Sequence, residues 1–305
     1  MSARAHISII GAGLMGHGIA QVFAQAGHKV RVYDAYSASL DTLHARIESN
    51  LRDLDEPADC LSLVSGHADL GEALAGAQFV FECAPEKLEL KREIFAKLEK
   101  FAPKDAVIAS NTSVMPIGSI VGDLATRARM LGTHWWNPPF LVPLVEVVGT
   151  PDTDLRHIES MMALLSAAGK TPVRVMKDVA GFVGNRLQHA LWREAVSLVE
   201  RGICDAETVD RVIKAAFGRR LAVLGPLENA DLVGTDLTLA IHKTVLPDID
   251  HRPGPSPYLE RLVAEGKLGF KSGEGFRKWS AEEQAALRGK VLQHLKKARE
   301  NDAKK

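Results

Sequence analysis

The sequence predicts an α/β fold: a doubly wound parallel sheet followed by an all-α C-terminal domain. Three observations carry that prediction. Short β-branched runs alternate with segments of helical period through the first 180 residues. A glycine-rich turn joins the first of these runs to the first helix. From Gly181 onward the helical period continues to the end without a clear strand.

The elements follow in order. HISII (6–10) is a β-branched strand, and LMGHGIAQVFAQAG (14–27) is a helix ending on Gly27, a residue suited to a C-cap. KVRVYD (29–34) alternates as a strand does. FVFE (79–82) and AVIAS (106–110) are further strands, with the amphipathic helix LELKREIFAKLEKF (88–101) between them. A helix over about 154–168 and a strand VRVM (173–176) complete the first region. GFVGNRLQHALWREAVSLVERG reads as one long helix. This places the domains at 1–180 and 181–305. The basic amphipathic tail VLQHLKKARENDAKK reads as a solvated last helix rather than a binding arm.

Composition narrows the function classes. The chain has 305 residues, with 38 Lys+Arg against 38 Asp+Glu. That balance argues against nucleic acid or an anionic membrane as the main partner. Cys60, Cys83 and Cys204 are scattered without a CxxC pair, so neither a disulfide framework nor a zinc site is implied. HISII begins after five residues, which leaves no room for a signal peptide, and no apolar run approaches a membrane span. The expectation is a soluble, cytoplasmic protein.

Gly11, Gly13 and Gly16 form GxGxxG between a strand and a helix, and Asp34 closes the next strand eighteen residues after Gly16. Each position has a physical task. Gly11 permits the tight turn, Gly13 lets the backbone approach a pyrophosphate, and Gly16 lets the helix pack close to the strand. The helix N-terminus offers amide donors and the positive end of a dipole to phosphates. Asp34 can accept from both ribose hydroxyls of an adenosine and repels a 2′-phosphate. Ala35 and Tyr36 follow it, with no cation to favour NADP. The competing reading is a tight turn in a domain that binds no nucleotide, and the strand–turn–helix context disfavours it. The expected cofactor is NAD in a Rossmann-type domain.

The segment HWWNPPFLVPLVEV (134–147) holds the candidate base. Pro138 and Pro139 cannot donate to a ladder, so they interrupt the strands RMLGTHWW and LVEVV on either side. A symmetric fold-back about Phe140 places His134 beside Glu146. A carboxylate on one imidazole nitrogen fixes the tautomer, which frees the other nitrogen to move a proton. On spacing alone, a satisfied buried histidine beside a surface glutamate is an equally good reading. The two constellations together favour chemistry: a nicotinamide takes a hydride and the dyad takes the proton, which oxidises a secondary alcohol to a ketone.

The motifs GAGLMGHGIA, ECAPEKLELKREIF, SNTSVMPI, HWWNPPFLVPLVEV, VAGFVGNRLQHALWREAVSLVERG and GPLENADLVGTDL, in this order over nearly the whole chain, resemble the 3-hydroxyacyl-CoA dehydrogenase family. Several are most similar to its L-gulonate 3-dehydrogenase (lambda-crystallin) branch. The resemblance implies that His134 is the general base and that Glu146 orients it. It implies that Ser113 and Asn185 hydrogen-bond the substrate, with Asn137 in the same pocket wall. It places Glu86 and Lys91 near the nicotinamide ribose, and Leu14, Met15 and Asn111 among the cofactor contacts. A homodimer through the helical domain is implied in the same way. Chemistry agrees with two of these roles, because a developing ketone oxygen needs neutral donors such as Ser113 and Asn185. In isolation a turn serine and a helix-capping asparagine would be the simpler readings. Asn185 opens the second domain, so the substrate is expected in a cleft between domains.

The segment after Asp34 departs from the acyl-CoA pattern. Members that bind coenzyme A carry an extended, lysine-rich arm there. Here residues 35–70 contain no lysine; Arg46 and Arg52 face seven carboxylates, Asp53, Asp55 and Glu56 among them. That is a poor surface for the phosphates of coenzyme A. GKLGFKSGEGF (266–276) pulls the other way, resembling the end of bacterial acyl-CoA members, with Arg277 where tyrosine is usual. Trp135 and Trp136 replace the family's phenylalanines and are expected to fill core volume. The substrate expected first is a small L-3-hydroxy acid, and second a short 3-hydroxyacyl-CoA. A non-catalytic, crystallin-like structural protein is the third reading. The intact set Ser113, His134, Glu146 and Asn185 argues against it.

Overall fold

The computed structural model describes residues 4–302. In chain order the first elements are β1 (His6–Ile10), α1 (Leu14–Gln25), β2 (Lys29–Tyr33), α2 (Ser37–Asp41), α3 (Leu43–Asp53), β3 (Val64–His67), α4 (Leu70–Leu74), β4 (Phe79–Glu82) and α5 (Leu88–Phe101). Next come β5 (Val107–Ser110), α6 (Ile117–Val121), β6 (Met130–Trp135), β7 (Leu144–Gly149), α7 (Leu155–Ala167) and β8 (Thr171–Val175). The remainder is helical: α8 (Gly184–Glu200), α9 (Ala206–Ala215), α10 (Pro226–Val233), α11 (Thr235–Val245), α12 (Pro257–Ala264) and α13 (Ala281–Asp302). The chain forms two units, residues 1–186 with 292–305, and residues 187–291.

The first unit holds one eight-stranded sheet in the order β3-β2-β1-β4-β5-β6-β7-β8. Every neighbouring pair is parallel except β6 with β7. Central strands are buried on both faces, which is why β1, β4 and β5 read as apolar runs rather than as alternating ones. Alternate side chains enter two separate cores. Ile7, Ile9, Val32, Leu131 and Val147 pack with α1, α3 and α7, including Phe23, Ile47 and Leu165. Ile10, Val80, Ile108, Met130 and Val148 pack with α5 and α6, including Phe95, Leu98 and Ile120. Two cores on opposite faces are the physical content of double winding.

One local expectation is corrected, and two segments gain structure that the sequence left open. The segment after Asp34 folds as α2, α3, a 3-10 turn (Asp59–Leu63) and β3. Leu43, Ile47 and Leu51 anchor it on the sheet. The long helix expected from Gly181 starts only at Gly184, because Gly181 (φ 73°) and Phe182 (φ 49°) adopt the left-handed conformation. The tail is the expected helix with no buried residue, and it carries ion pairs that the sequence does not reveal. Lys296 Nζ lies 2.5 Å from the Asp53 carbonyl and 3.0 Å from Asp55 Oδ2, and Arg299 lies 2.7 Å from Glu56 Oε1. The acidic turn that follows α3 attracts these cations, and the sequence separation hides the contact. The last three residues of that tail lie outside the described ones.

In the second unit, the helical period is right but the apolar side chains stay open. Leu262 is the one buried hydrophobic side chain among its described residues, while Val223, Leu227 and Leu232 are 82, 80 and 73 % exposed. No described helix is long and apolar enough to cross a membrane.

Candidate active site

The glycine turn links β1 to α1. Gly11 has φ 107°, and a Cβ there would meet the Cys83 carbonyl oxygen at 2.9 Å. A Cβ on Gly16 would lie 1.8 Å from the Gly11 carbonyl oxygen, so α1 can approach β1 only with glycine at that position. Gly13 is different: a Cβ there would meet nothing within 4 Å. The space in front of the twelve-residue α1 is therefore open at its N-terminus, where amides and the helix dipole face an anion. Leu14 is exposed beside it and Met15 is partly buried. Asp34 braces the turn. Its Oδ2 accepts the Ala12 amide at 2.7 Å and its Oδ1 accepts the Tyr36 amide at 2.9 Å. Each oxygen keeps a lone pair for a ribose hydroxyl. These residues fit a dinucleotide.

The strand reversal brings the candidate dyad together. β6 and β7 pair antiparallel with His134 directly opposite Glu146, the register that the spacing predicts. His134 Nδ1 lies 2.7 Å from Glu146 Oε2, and the two residues are 4 % and 1 % exposed. Glu146 Oε1 accepts the amides of Val183 at 2.9 Å and Gly184 at 3.0 Å. Burial pushes the Glu146 carboxyl upward, but the His134 bond and the two amide bonds outweigh it and hold the group below the usual carboxylate range. The carboxylate therefore stays ionised, and His134 places its Nδ1 proton on it. Nε2 of His134 makes no hydrogen bond to the described residues and is free for proton transfer.

The turn at 181–184 presents the Val183 and Gly184 amides to Glu146. Phe182 holds a left-handed conformation, which costs a bulky residue about 1–3 kcal/mol. Its side chain is 1 % exposed and its ring lies 5.8 Å from that of His134, so packing compensates the strain. Trp136 is the other wall, with its ring 5.1 Å from His134. Trp135 fills the opposite core beside Phe23 and Phe81, and the Lys170 ammonium lies 5.5 Å from its ring. That ammonium donates to the carbonyls of Pro139 at 2.6 Å and Val142 at 2.7 Å, which pins the loop between β6 and β7. The loop contains a cis Asn137–Pro138 peptide, and Asn137 lies at its start.

The loop after β5 carries Ser113. Its side chain is exposed and makes no hydrogen bond to the described residues. The Asn185 amide donates to the Ser113 carbonyl at 2.7 Å, so Asn185 holds this loop with one proton and keeps another. Asn111 is buried, its Oδ1 accepting the Trp135 amide at 3.2 Å. Glu86 Oε1 accepts the Thr112 hydroxyl and the amides of Ser113 (3.1 Å) and Val114 (3.3 Å). Lys91 is fully buried. Its ammonium lies 2.9 and 3.0 Å from the two oxygens of Glu82 and 3.5 Å from Glu86 Oε2. Ser113, His134, Glu146 and Asn185 all belong to the first unit. Two residues with clear roles escape sequence reasoning. Glu82 looks like a strand end, and Asp178 looks like loop polarity. Asp178 caps the start of α6 by accepting the Ile117 and Gly118 amides at 2.8 and 2.7 Å.

Comparison with known proteins decides the family. Residues 6–179 match the 3-hydroxyacyl-CoA dehydrogenase NAD-binding domain, and residues 181–279 match the C-terminal domain of the same family. The chain belongs to the 3-hydroxyacyl-CoA dehydrogenase family. It is an NAD-dependent dehydrogenase acting on a CH–OH group. Its relatives in this family carry different substrates in their names. It is 33 % identical over 295 residues to 5-formyl-3-hydroxy-2-methylpyridine 4-carboxylate 5-dehydrogenase of Mesorhizobium japonicum, covering 95 % of this chain and 96 % of that one. It is 38 % identical over 291 residues to human mitochondrial hydroxyacyl-coenzyme A dehydrogenase, covering 90 % and 91 %. It is 37 % identical to the rat lambda-crystallin homolog, over 74 % of each chain. A crystal structure of the pyridine carboxylate enzyme superposes with a TM-score of 0.89 at 32 % identity, over 97 % of each chain.

Proposed function

We propose that this enzyme oxidises the 3-hydroxyl of a small, free L-3-hydroxy acid to the 3-keto acid, with His134 as general base and Glu146 as its orienting carboxylate. The observation that carries the proposal is the 2.7 Å contact between His134 Nδ1 and a buried, ionised Glu146, which leaves Nε2 free. NAD, held by the Gly11–Gly16 turn and Asp34, would supply the acceptor for the hydride of the carbinol carbon. His134 Nε2 accepts the hydroxyl proton, and Glu146 stabilises the imidazolium that results. The Ser113 hydroxyl and the second amide proton of Asn185 donate to the oxygen as it becomes a ketone. The turn at Gly11, Gly13 and Gly16, with Leu14 and Met15, receives the pyrophosphate. Asp34 receives the adenosine ribose. Glu86, Lys91 and Asn111 shape the nicotinamide end, and Asn137 lines the substrate side.

Two observations support a free acid. The segment 35–70 has no lysine, and the cations nearest its acidic turn, Lys296 and Arg299, are already paired with Asp55 and Glu56. The pyridine carboxylate enzyme, matched along nearly its full length, is named for a free acid. The second reading, a short 3-hydroxyacyl-CoA, is favoured by 38 % identity to the human hydroxyacyl-coenzyme A enzyme. Residues 1–180 serve NAD, and residues 181–305 serve the substrate and a homodimer, with the last turns of α13 bracing the first unit instead. The dimer is supported by the exposed Val223, Leu227 and Leu232, which a monomer would leave in water.

NADH production measured with L-3-hydroxybutyryl-CoA and with free L-3-hydroxy acids, L-gulonate among them, tests the substrate. A kcat/KM far higher for the thioester overturns the free-acid assignment. His134→Ala tests the base: the rate should collapse while NADH affinity stays near that of the parent. Equal loss of NADH binding would reject the role.

A further inference from the structure

The β4–α5 connection contains a buried charge cluster whose Glu82 takes no part in the proposed function. Glu82 ends β4 and Lys91 lies on α5. Both side chains are completely buried, and the ammonium bridges both carboxylate oxygens. An isolated buried charge is costly, and even a paired one is weak evidence for stability. Its partners point elsewhere. Parallel pairing sets Glu82 opposite Ser110 in the adjacent strand β5, and the Ser110 hydroxyl donates to Glu82 Oε2 at 2.6 Å. The next amide, Asn111, donates to the Glu82 carbonyl at 2.8 Å. The hydroxyl of Thr112 and the amides of Ser113 and Val114 then all go to Glu86 Oε1. Every residue from Ser110 to Val114 is thus held by one of two glutamates, and Lys91 lies between the two.

We propose that Glu82 is a positioning residue for the Ser113 loop. It grips the start of the loop directly and, by holding Lys91 against Glu86, fixes the turn from which the Ser113 hydroxyl is presented. Glu82 touches neither substrate nor cofactor, and it acts through Lys91, Glu86 and Ser110. The cluster carries two carboxylates and one ammonium, so removing the Glu82 charge leaves Glu86 as the only carboxylate to balance Lys91. Lys91 is then drawn toward Glu86, whose grip on the Thr112–Val114 turn changes. The catalytic part of this inference rests on the function proposed above, with Ser113 as a substrate donor. The loop-holding part does not.

The test uses the full-length enzyme with Glu82→Gln and with Glu82→Asp, which keeps the buried charge beside Lys91 but is one methylene too short to hold both Lys91 and Ser110 as Glu82 does. Hydrogen exchange of the Ser113 and Val114 amides is measured beside kcat, both KM values and Tm. In Glu82→Gln these two amides should exchange at least about tenfold faster, while amides of β1 and β2 keep their protection. Glu82→Asp should recover Tm relative to Glu82→Gln, yet its kcat should stay about tenfold or more below the parent with NAD KM within about threefold. Recovery of kcat together with Tm in Glu82→Asp would show that Glu82 only balances charge and would overturn the proposal. So would unchanged amide exchange in Glu82→Gln, or failure of both variants to fold, since a positioning residue is dispensable for the fold. Inactivity of the parent on every hydroxy acid, with faster exchange in the variant, would strike the proposed substrate chemistry and leave the loop-holding role intact.

Discussion

Nδ1 of His134 and Oε2 of Glu146 are 2.7 Å apart, on residues that face each other across an antiparallel pair in an otherwise parallel sheet. The other oxygen of Glu146 takes two backbone amides, so the carboxylate is fixed at both ends.

That fixation makes Glu146→Gln informative. The Val183 and Gly184 amides demand an acceptor, which turns the new amide NH2 toward His134. His134 can then meet it only with a bare Nδ1, and its proton moves to Nε2, where the base is needed. The kcat should fall about 10²–10⁴-fold with little change in NAD KM. Steady-state kinetics with varied NAD decide this, and a kcat within about threefold of the parent would remove Glu146 from the mechanism.

Asp34→Ala should act on the cofactor alone. Asp34 braces Ala12 and Tyr36 and carries the lone pairs assigned to the ribose. Roughly a tenfold or larger rise in NAD KM is expected, with kcat at saturating NAD close to the parent. An unchanged NAD KM would refute the ribose assignment.

Gly184 is a steric control point. A Cβ there would lie 2.5 Å from Cζ2 of Trp136 and 3.4 Å from Glu146 Oε2. Gly184→Ala should displace the turn that feeds Glu146 and lower kcat by roughly tenfold or more. Adding Trp136→Phe removes the ring atom in the way, so the double variant should recover much of the loss. If Gly184→Ala is silent in a kcat assay, the turn is softer than its contacts imply.

Lys170 gives a pH-dependent stability signal. Burial, with a smaller contribution from Arg299, pulls its ammonium down to about 8. The folded value lies below the unfolded value of 10.5, so between these the unfolded chain binds more protons. The burial cost is therefore present below pH 8 and is relieved as pH rises through that window. Thermal melts should show the parent gaining stability relative to Lys170→Met between about pH 8 and 10.5. A constant difference would contradict the shift.

The domain types, the glycine turn with Asp34 and the His134–Glu146 pairing were legible because each is set by short-range periodicity or by symmetric spacing about the proline pair. A strand buried on both faces has to be apolar, and a phosphate turn has to be glycine-rich, whatever else surrounds them. Other features depend on contacts between distant segments. Glu82 gains its role only when parallel pairing sets it beside Ser110 and α5 returns Lys91 to it. Phe182 can hold a left-handed conformation only because a core closes over its ring. The tail reaches an acidic turn 241 residues away. The sequence by itself determined the chemistry available to this protein. The tertiary structure decided which groups are buried, which charges are already paired, and which backbone amides reach Glu146. Burial and partnership belong to the packed chain as a whole and cannot be read from any one segment of it.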